Sequence, residues 1–274
     1  MEKIRNSMKR NRTLLAALVA IGLLSFSSAQ AESFDSASHF HQVKVVGDKV
    51  FLGTHEGLYE LVSSNNMKKI GSVVFDVMGL AAIGNTVFAS GHPSQGSSLP
   101  APVGLIASGN LGKKWKQVSL AGKVDFHLLE GAGKEIFGAD SGSGNLMYSS
   151  NLGKSWQTIG KNKFSDIAVI PQMSGMAIAI QGKVLVLTED AFKSSKTIKT
   201  PTAFSQIEQT NSGLFALSGD SLYRSKDLGE TWKKISSFKG SPGILSANDQ
   251  IMLVTVGSDI FVSSNAGLTF KKVS

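Results

Sequence analysis

The sequence predicts an all-β protein, a six-bladed β-propeller with four antiparallel strands per blade and a turn of fixed composition between the third and fourth strands. Three observations predict it. An eight-residue phrase is written three times, as SGNLGKKW (108–115), SSNLGKSW (149–156) and SKDLGETW (225–232). Its core, Ser/Thr-x-Asx, recurs six times, at Ser63, Ser108, Ser149, Thr188, Ser225 and Ser263, with intervals of 45, 41, 39, 37 and 38 residues. Between copies lie short β-branched and aromatic runs parted by Gly, Asn, Asp and Ser, and no stretch beyond the N-terminal leader holds a helical period.

The leader comes first. A basic cluster (Lys3, Arg5, Lys9, Arg10, Arg12), an apolar run from Leu14 to Phe26 and the small-residue site Ala29-Gln30-Ala31 form a secretory signal over residues 1–31. The apolar run is shorter than the roughly 20 residues of a spanning helix, so removal is expected, with no transmembrane span left. The product is exported: secreted or at the cell surface, or periplasmic in a Gram-negative source.

Residues 32–274 then form one domain. This portion has 23 Lys and Arg against 19 Asp and Glu, a net charge of +4. The lysines are scattered without interleaved aromatics, which excludes nucleic acid as a partner. The absence of cysteine excludes disulfides, thiolate nucleophiles and thiolate metal sites. A monomer stabilised by packing alone is expected.

Each unit is built alike. FHLLEG, KEIFGAD and NLMYSS precede one box and WQTIG follows it; FSQIEQ, GLFALSG and SLYRS precede another and WKKISSF follows. Runs of about five residues bounded by turn formers are strands joined by hairpins, and six such units of four close into a propeller. In the box, the Asx side chain accepts hydrogen bonds from loop N–H groups, glycine permits positive φ, and the final aromatic buries its ring. All three tryptophans (Trp115, Trp156, Trp232) occupy that final slot. Four of the six Asx positions are Asn, a poor acid, base or cation ligand, so the box is architecture. Units 1 and 4, with Met67 and Phe192 in the glycine slot and Ile70 and Ser195 in the aromatic slot, depart most from the pattern.

The motif S-x-D-x-G-x-x-W resembles the Asp-box of the bacterial neuraminidase repeat (BNR) propellers, over essentially the whole of residues 32–274. Propellers of this kind include sialidases, other glycosidases, sortilin-like receptors and photosystem II assembly factors. The resemblance implies a fold and leaves the function open. A sialidase would hold its sugar with three arginines, whereas this portion has one, Arg224. Tyr59, Tyr148 and Tyr223 share one repeat position, where packing accounts for them. A glycoside hydrolase of another type needs two carboxylates roughly 5 to 9 Å apart. Asp76, Asp125 and Asp166 open first strands, and Glu56 and Asp140 close second strands; Asp76 and Asp125 are the catalytic candidates.

The histidines break the repeat. His39, His41, His55, His92 and His127 all fall in the first three units. His41 and His127 start first strands and His55 and His92 follow second strands. Antiparallel pairing puts both positions on one rim, opposite the box turns. His41, His127, Asp76 and Asp125 should approach the axis there, with His55 and His92 slightly further out. Imidazole and carboxylate without thiolate suit Zn, Cu or Ni, with Met78 a further soft donor for copper. His41, His55, His92 and His127 are therefore the metal candidates, and Asp76, Asp125 and His39 possible additions. The segments SHFH, THEGL, GHP and DFH are similar to those of exported Asp-box proteins labelled glycosyl hydrolases.

Beside His92 runs GHPSQGSSLPAPVG (91–104), long for a link between adjacent strands and placed on the histidine rim, where it could be a lid or a partner-binding arm. No phosphate-binding glycine loop, HExxH or GxSxG is present, so no nucleotide cofactor is expected. The sequence thus predicts a binding protein that takes a metal ion, small ligand or glycan on the histidine face. A non-sialidase glycoside hydrolase and a protein–protein scaffold using the 91–104 loop are the alternatives.

Overall fold

Alternating apolar runs too short to bury a helix face pair instead into six antiparallel sheets. The computed structural model describes residues 32–33, 40–63, 66–171 and 173–273; the leader and His39 lie outside them. Each sheet runs first to fourth strand outward in chain order. The first strands are Phe40–Val46, Phe75–Ile83, Phe126–Ala132, Asp166–Val169, Gln206–Thr210 and Pro242–Ala247, and each first strand packs on the first strand of the next blade. The fold is the six-bladed propeller, with four strands in every blade. Blade 1 carries a fifth: Glu32–Ser33 pairs outside its fourth strand, Glu32 opposite Met67 and Ser33 opposite Asn66.

That pairing places Glu32 and Ser33 on blade 1 and not on blade 6. Blade 6 completes itself with Lys271–Lys272. The ring closes by side chains: Val45 N donates to Ser246 Oγ (3.0 Å) and Asn248 Nδ2 to Gly47 O (2.7 Å), while Leu253 and Ile260 join Val43, Val45 and Leu52 in one buried cluster. Apolar burial of this kind is worth about 25 cal/mol per Å², so a dry seam can hold the ring without strand exchange.

The repeated turns follow one hydrogen-bond plan. Ser149 Oγ accepts from Gly153 N (2.9 Å), and Asn151 Oδ1 accepts from Ser149 Oγ (3.0 Å) and Ser155 N (2.9 Å). The same bonds recur from Ser108, Thr188, Ser225 and Ser263. Gly153 needs its missing Cβ twice over. Its φ is +76°, and an added Cβ would come within 2.0 Å of Leu105 Cδ2 in the preceding blade.

Each box aromatic has a partner that the repeat spacing did not reveal. A phenylalanine at or just before the first strand packs on it: Phe75 on Trp115, Phe126 on Trp156, Phe204 on Trp232 and Phe238 on Phe270, with centroids 5.7, 4.9, 4.5 and 5.0 Å apart. This resolves the departure of unit 4. Its turn keeps the common bonds, and Phe192, at φ +62° in the glycine slot, supplies the ring missing at Ser195 by packing 4.4 Å from Phe164. In unit 1, residues 64 and 65 of the box lie outside the described residues.

Candidate metal-binding site

Four first strands bulge where they reach the rim, that of blade 6 between Pro242 and Leu245 and those of blades 1, 2 and 3. Phe40 pairs with Thr54 and Gln42 with Gly53, which leaves His41 as the extra residue; in blade 3, Phe126 pairs with Asp140 and Leu128 with Ala139, which leaves His127. Blade 2 repeats the device at Met78, between Val77 and Gly79. A bulge leaves its extra residue out of the ladder and re-aims its side chain, and in blades 1 and 3 that side chain is an imidazole. Gly91 makes the adjoining approach feasible, since a Cβ there would lie 1.8 Å from Asp76 O.

The rim side chains gather into two triads, each spanning a blade boundary. His41 Nε2 is 3.3 Å from Asp76 Oδ1, His55 Nδ1 is 2.9 Å from Asp76 Oδ2, and His41 Nε2 lies 3.2 Å from the ring nitrogens of His55. In the second triad, His92 Nε2 is 3.0 Å and His127 Nε2 2.8 Å from the same oxygen, Asp125 Oδ2. In each triad one ligand atom per residue can be chosen so that all lie within 4.8 Å of one another. The six side chains thus divide by seam: His41 and His55 of blade 1 with Asp76 of blade 2, and His92 of blade 2 with Asp125 and His127 of blade 3.

In the second triad the carboxylate is held and the imidazoles are accessible; in the first, His41 and Asp76 are about equally exposed, at 24% and 21%, and His55 more so at 53%. Asp125 is 6% exposed at its side chain, against 51% for His92 and 43% for His127. Ser141 Oγ donates to Asp125 Oδ2 (2.7 Å), and Asp125 N donates to Asp140 Oδ1 (2.8 Å). Asp125 Oδ1 is buried with no hydrogen-bond partner, whereas Asp76 Oδ1 has His41 Nε2 at 3.3 Å. A buried carboxylate oxygen left without a donor costs about 1–3 kcal/mol or more, and a cation at the triad would remove that cost.

Other candidates take structural roles. Asp166 turns inward from the rim, its oxygens accepting from Ile167 N (3.0 Å) and Ile207 N (2.7 Å) and so joining blade 4 to blade 5. Asp140 also receives Ser143 N (2.8 Å); burial pushes its pKa up, but these bonds win and hold it below the usual carboxylate value. Glu56 accepts from Tyr59 Oη at 3.3 Å. Met78 O receives Gln42 Nε2 at 3.0 Å. The 91–104 loop is fastened down: Val103 is fully buried and its N donates to Gly91 O, Gly104 N donates to Val124 O of the next blade seam, and Ser94 Oγ reaches His55 O at 3.4 Å.

A second polar cluster, on the axis, escaped sequence reasoning. Lys44 Nζ is 2.8 and 2.6 Å from the two oxygens of Glu130 and 3.7 Å from Glu208 Oε2. These come from blades 1, 3 and 5. A signal did exist: counted from the phenylalanines at 40, 126 and 204, all three stand four residues on, and the same slot in blades 2 and 4 holds Gly79 and Ala168. Large charged and small residues thus alternate through blades 1 to 5. Burial works against the Lys44 charge, but Glu130 and Glu208 outweigh it and raise its pKa. Burial lifts Glu208 to about 8, opposed by Lys44 and reinforced by Glu130 and Asp166. It lifts Asp166 to about 7, with Glu130 adding to the shift, and raises Glu130 as well.

The chain matches no protein-family model and no curated protein sequence. Among solved structures it is similar to YCF48 bound to D1 peptide (15% identity, TM-score 0.54, covering 91% of this chain and 85% of that one). It is also similar to a propeller in a nidogen/laminin complex (12%, 0.55, 82% and 92%). The third is PorZ, a bacterial surface component of the type-IX secretion system of Porphyromonas gingivalis (11%, 0.58), of which the match covers 32% and of this chain 85%. At these identities the likeness is one of fold, that of a β-propeller repeat protein. The titles of the first and second describe complexes with a peptide and a protein.

Proposed function

We propose that the protein is an exported binding propeller whose working surface is the histidine rim, and that each triad there binds a divalent transition metal, Zn, Cu or Ni. The observation that supports this is the pair of two-imidazole, one-carboxylate sets with mutually close ligand atoms. Such sets suit these ions and leave coordination positions open. The unpartnered oxygen of Asp125 supports the same reading. Untagged protein should hold close to two equivalents by elemental analysis after dialysis against micromolar metal. The pair His41→Ala/His55→Ala should lose one and His92→Ala/His127→Ala the other. Wild-type protein that takes up no metal would end this reading.

A second reading is a peptide or protein dock, and the complexes formed by similar propellers favour it. The rim with its 91–104 loop is the surface proposed. A photo-crosslinker at Ser97 should capture a specific exported partner that one at Lys193, in a box turn, does not. Equal yields from both positions would discard the dock.

A further inference from the structure

The lysines are spread along the chain, but on the folded disc the charges segregate. All eight lysines of residues 75–163, blades 2 and 3, are exposed. The five acidic residues of the same stretch are buried or half-buried: Asp76, Asp125 and Asp140 at the rim, Glu130 on the axis and Glu135 against Tyr148 Oη. Blades 4 to 6 differ, with Glu189, Asp220, Glu230 and Asp249 exposed among their lysines. The basic surface also runs across a blade boundary. Each sheet leads outward to its fourth strand, and that of blade 2, Lys116–Ser119, lies against the box turn of blade 3: Ser119 Oγ donates to Gly153 O (2.5 Å) and accepts from Trp156 Nε1 (3.0 Å). Lys113, Lys114 and Lys116 thus adjoin Lys154, and Leu152 N, donating to Lys134 O (2.8 Å), brings in Lys134. Among the described residues none of these five lysines forms an ion pair, whereas Lys49, Lys234 and Lys272 do.

We infer that this outer wall of blades 2 and 3 binds a linear anionic polysaccharide, held by charge along its length and independent of any metal at the rim. Like charges gathered without interspersed acids add their potentials, and each is felt over about 8 Å at physiological ionic strength. Lysine is a point charge on a flexible stem, suited to a chain of spaced anions more than to one bidentate group. Edge protection does not account for the pattern. A lysine on an outer strand discourages sheet pairing, but that duty falls equally on all six fourth strands, and Lys113, Lys114 and Lys154 stand in turns. Two other polyanions fit less well. A membrane surface takes up apolar side chains set among the basic ones, and of the exposed large hydrophobics (Val62, Val74, Met173, Val184 and Leu268) none falls in residues 75–163. A single-stranded nucleic acid stacks its bases on aromatic side chains, and the tryptophans of this wall, Trp115 and Trp156, are packed on Phe75 and Phe126.

Fluorescence anisotropy with labelled dextran sulfate tests it, with neutral dextran as the control. Wild type should bind the sulfated chain alone, and its affinity should fall about tenfold or more between about 50 and about 200 mM salt. The triple variant Lys113→Glu/Lys114→Glu/Lys154→Glu should bind at least about tenfold more weakly. In blade 5, Lys226→Glu/Lys233→Glu/Lys239→Glu makes an equal change in net charge at exposed positions and should weaken binding by less than about threefold. Thermal unfolding checks that both variants fold, and glutamine at the same positions gives the same order of affinities if a glutamate variant does not. Absence of binding by wild type, binding that ignores salt, equal affinity for neutral dextran, or equal losses in the two triple variants would overturn the inference. So would oligothymidylate or phosphatidylglycerol vesicles that bind more tightly than dextran sulfate, since they would give the wall to a nucleic acid or to a membrane.

Discussion

Asp76 and His92 stand directly opposite each other in the ladder of blade 2, yet Asp76 closes one triad and His92 opens the other. Blade 2 is thus the shared wall of both centres. Directly paired residues have Cβ atoms about 5 Å apart, so two ions would sit on the order of 10 Å from each other and repel.

That proximity predicts negative coupling. At low salt the second equivalent of metal should bind about tenfold more weakly than the same triad does in a variant that lacks the other one, and the difference should shrink as ionic strength shortens the Debye length. Calorimetric titration of wild type and the two double-alanine variants measures it. Identical affinities at every salt concentration would place the ions further apart than the ladder implies.

Lys44 is the counter-charge for two buried glutamates. Lys44→Met should destabilise the fold by about 3–5 kcal/mol at pH 8, because it strands buried carboxylates. The loss should be smaller at pH 5, where Glu130, Glu208 and Asp166, all with raised pKa values, take up protons. Urea unfolding at the two pH values reads the difference.

The same groups set a pH slope in the wild type. Glu208 and Asp166, lifted to about 8 and about 7, hold protons in the folded state that the unfolded chain releases near pH 4. Folded protein binds more protons between those limits, so their contribution to stability falls as pH rises from about 4 to 8. The raised pKa of Lys44 acts oppositely, but only at far higher pH. Glu208→Gln should flatten the decline, and a wild type that gains stability steadily from pH 5 to 8 would contradict the assignment.

Two glycines separate backbone strain from packing. Gly144→Ala, at φ +65° with open space around its Cβ, should cost about 1 kcal/mol. Gly153→Ala meets Leu105 as well as a positive φ and should cost about 2–4 kcal/mol. Thermal unfolding of the pair tests whether the box glycine is kept for its contact with the previous blade.

The sequence by itself determined the six blades, the strand order and the rim that carries the histidines. These follow from local rules: an Asx side chain closes its own turn within four residues, as Asn151 does with Ser155, and antiparallel pairing fixes which strand ends share a face. The aromatic slot was half legible, for Trp156 repeats in sequence while its partner Phe126, thirty residues earlier, is met only across the folded blade. What the tertiary structure alone decided is who meets whom. The bulges that free His41 and His127 are set by strand register within a blade, whereas the division of six side chains into two triads and the convergence of Lys44, Glu130 and Glu208 on the axis depend on blade-to-blade distances. Those distances are set by ring closure, which joins residues 86 and more positions apart in the chain, and no pattern of neighbouring residues encodes them.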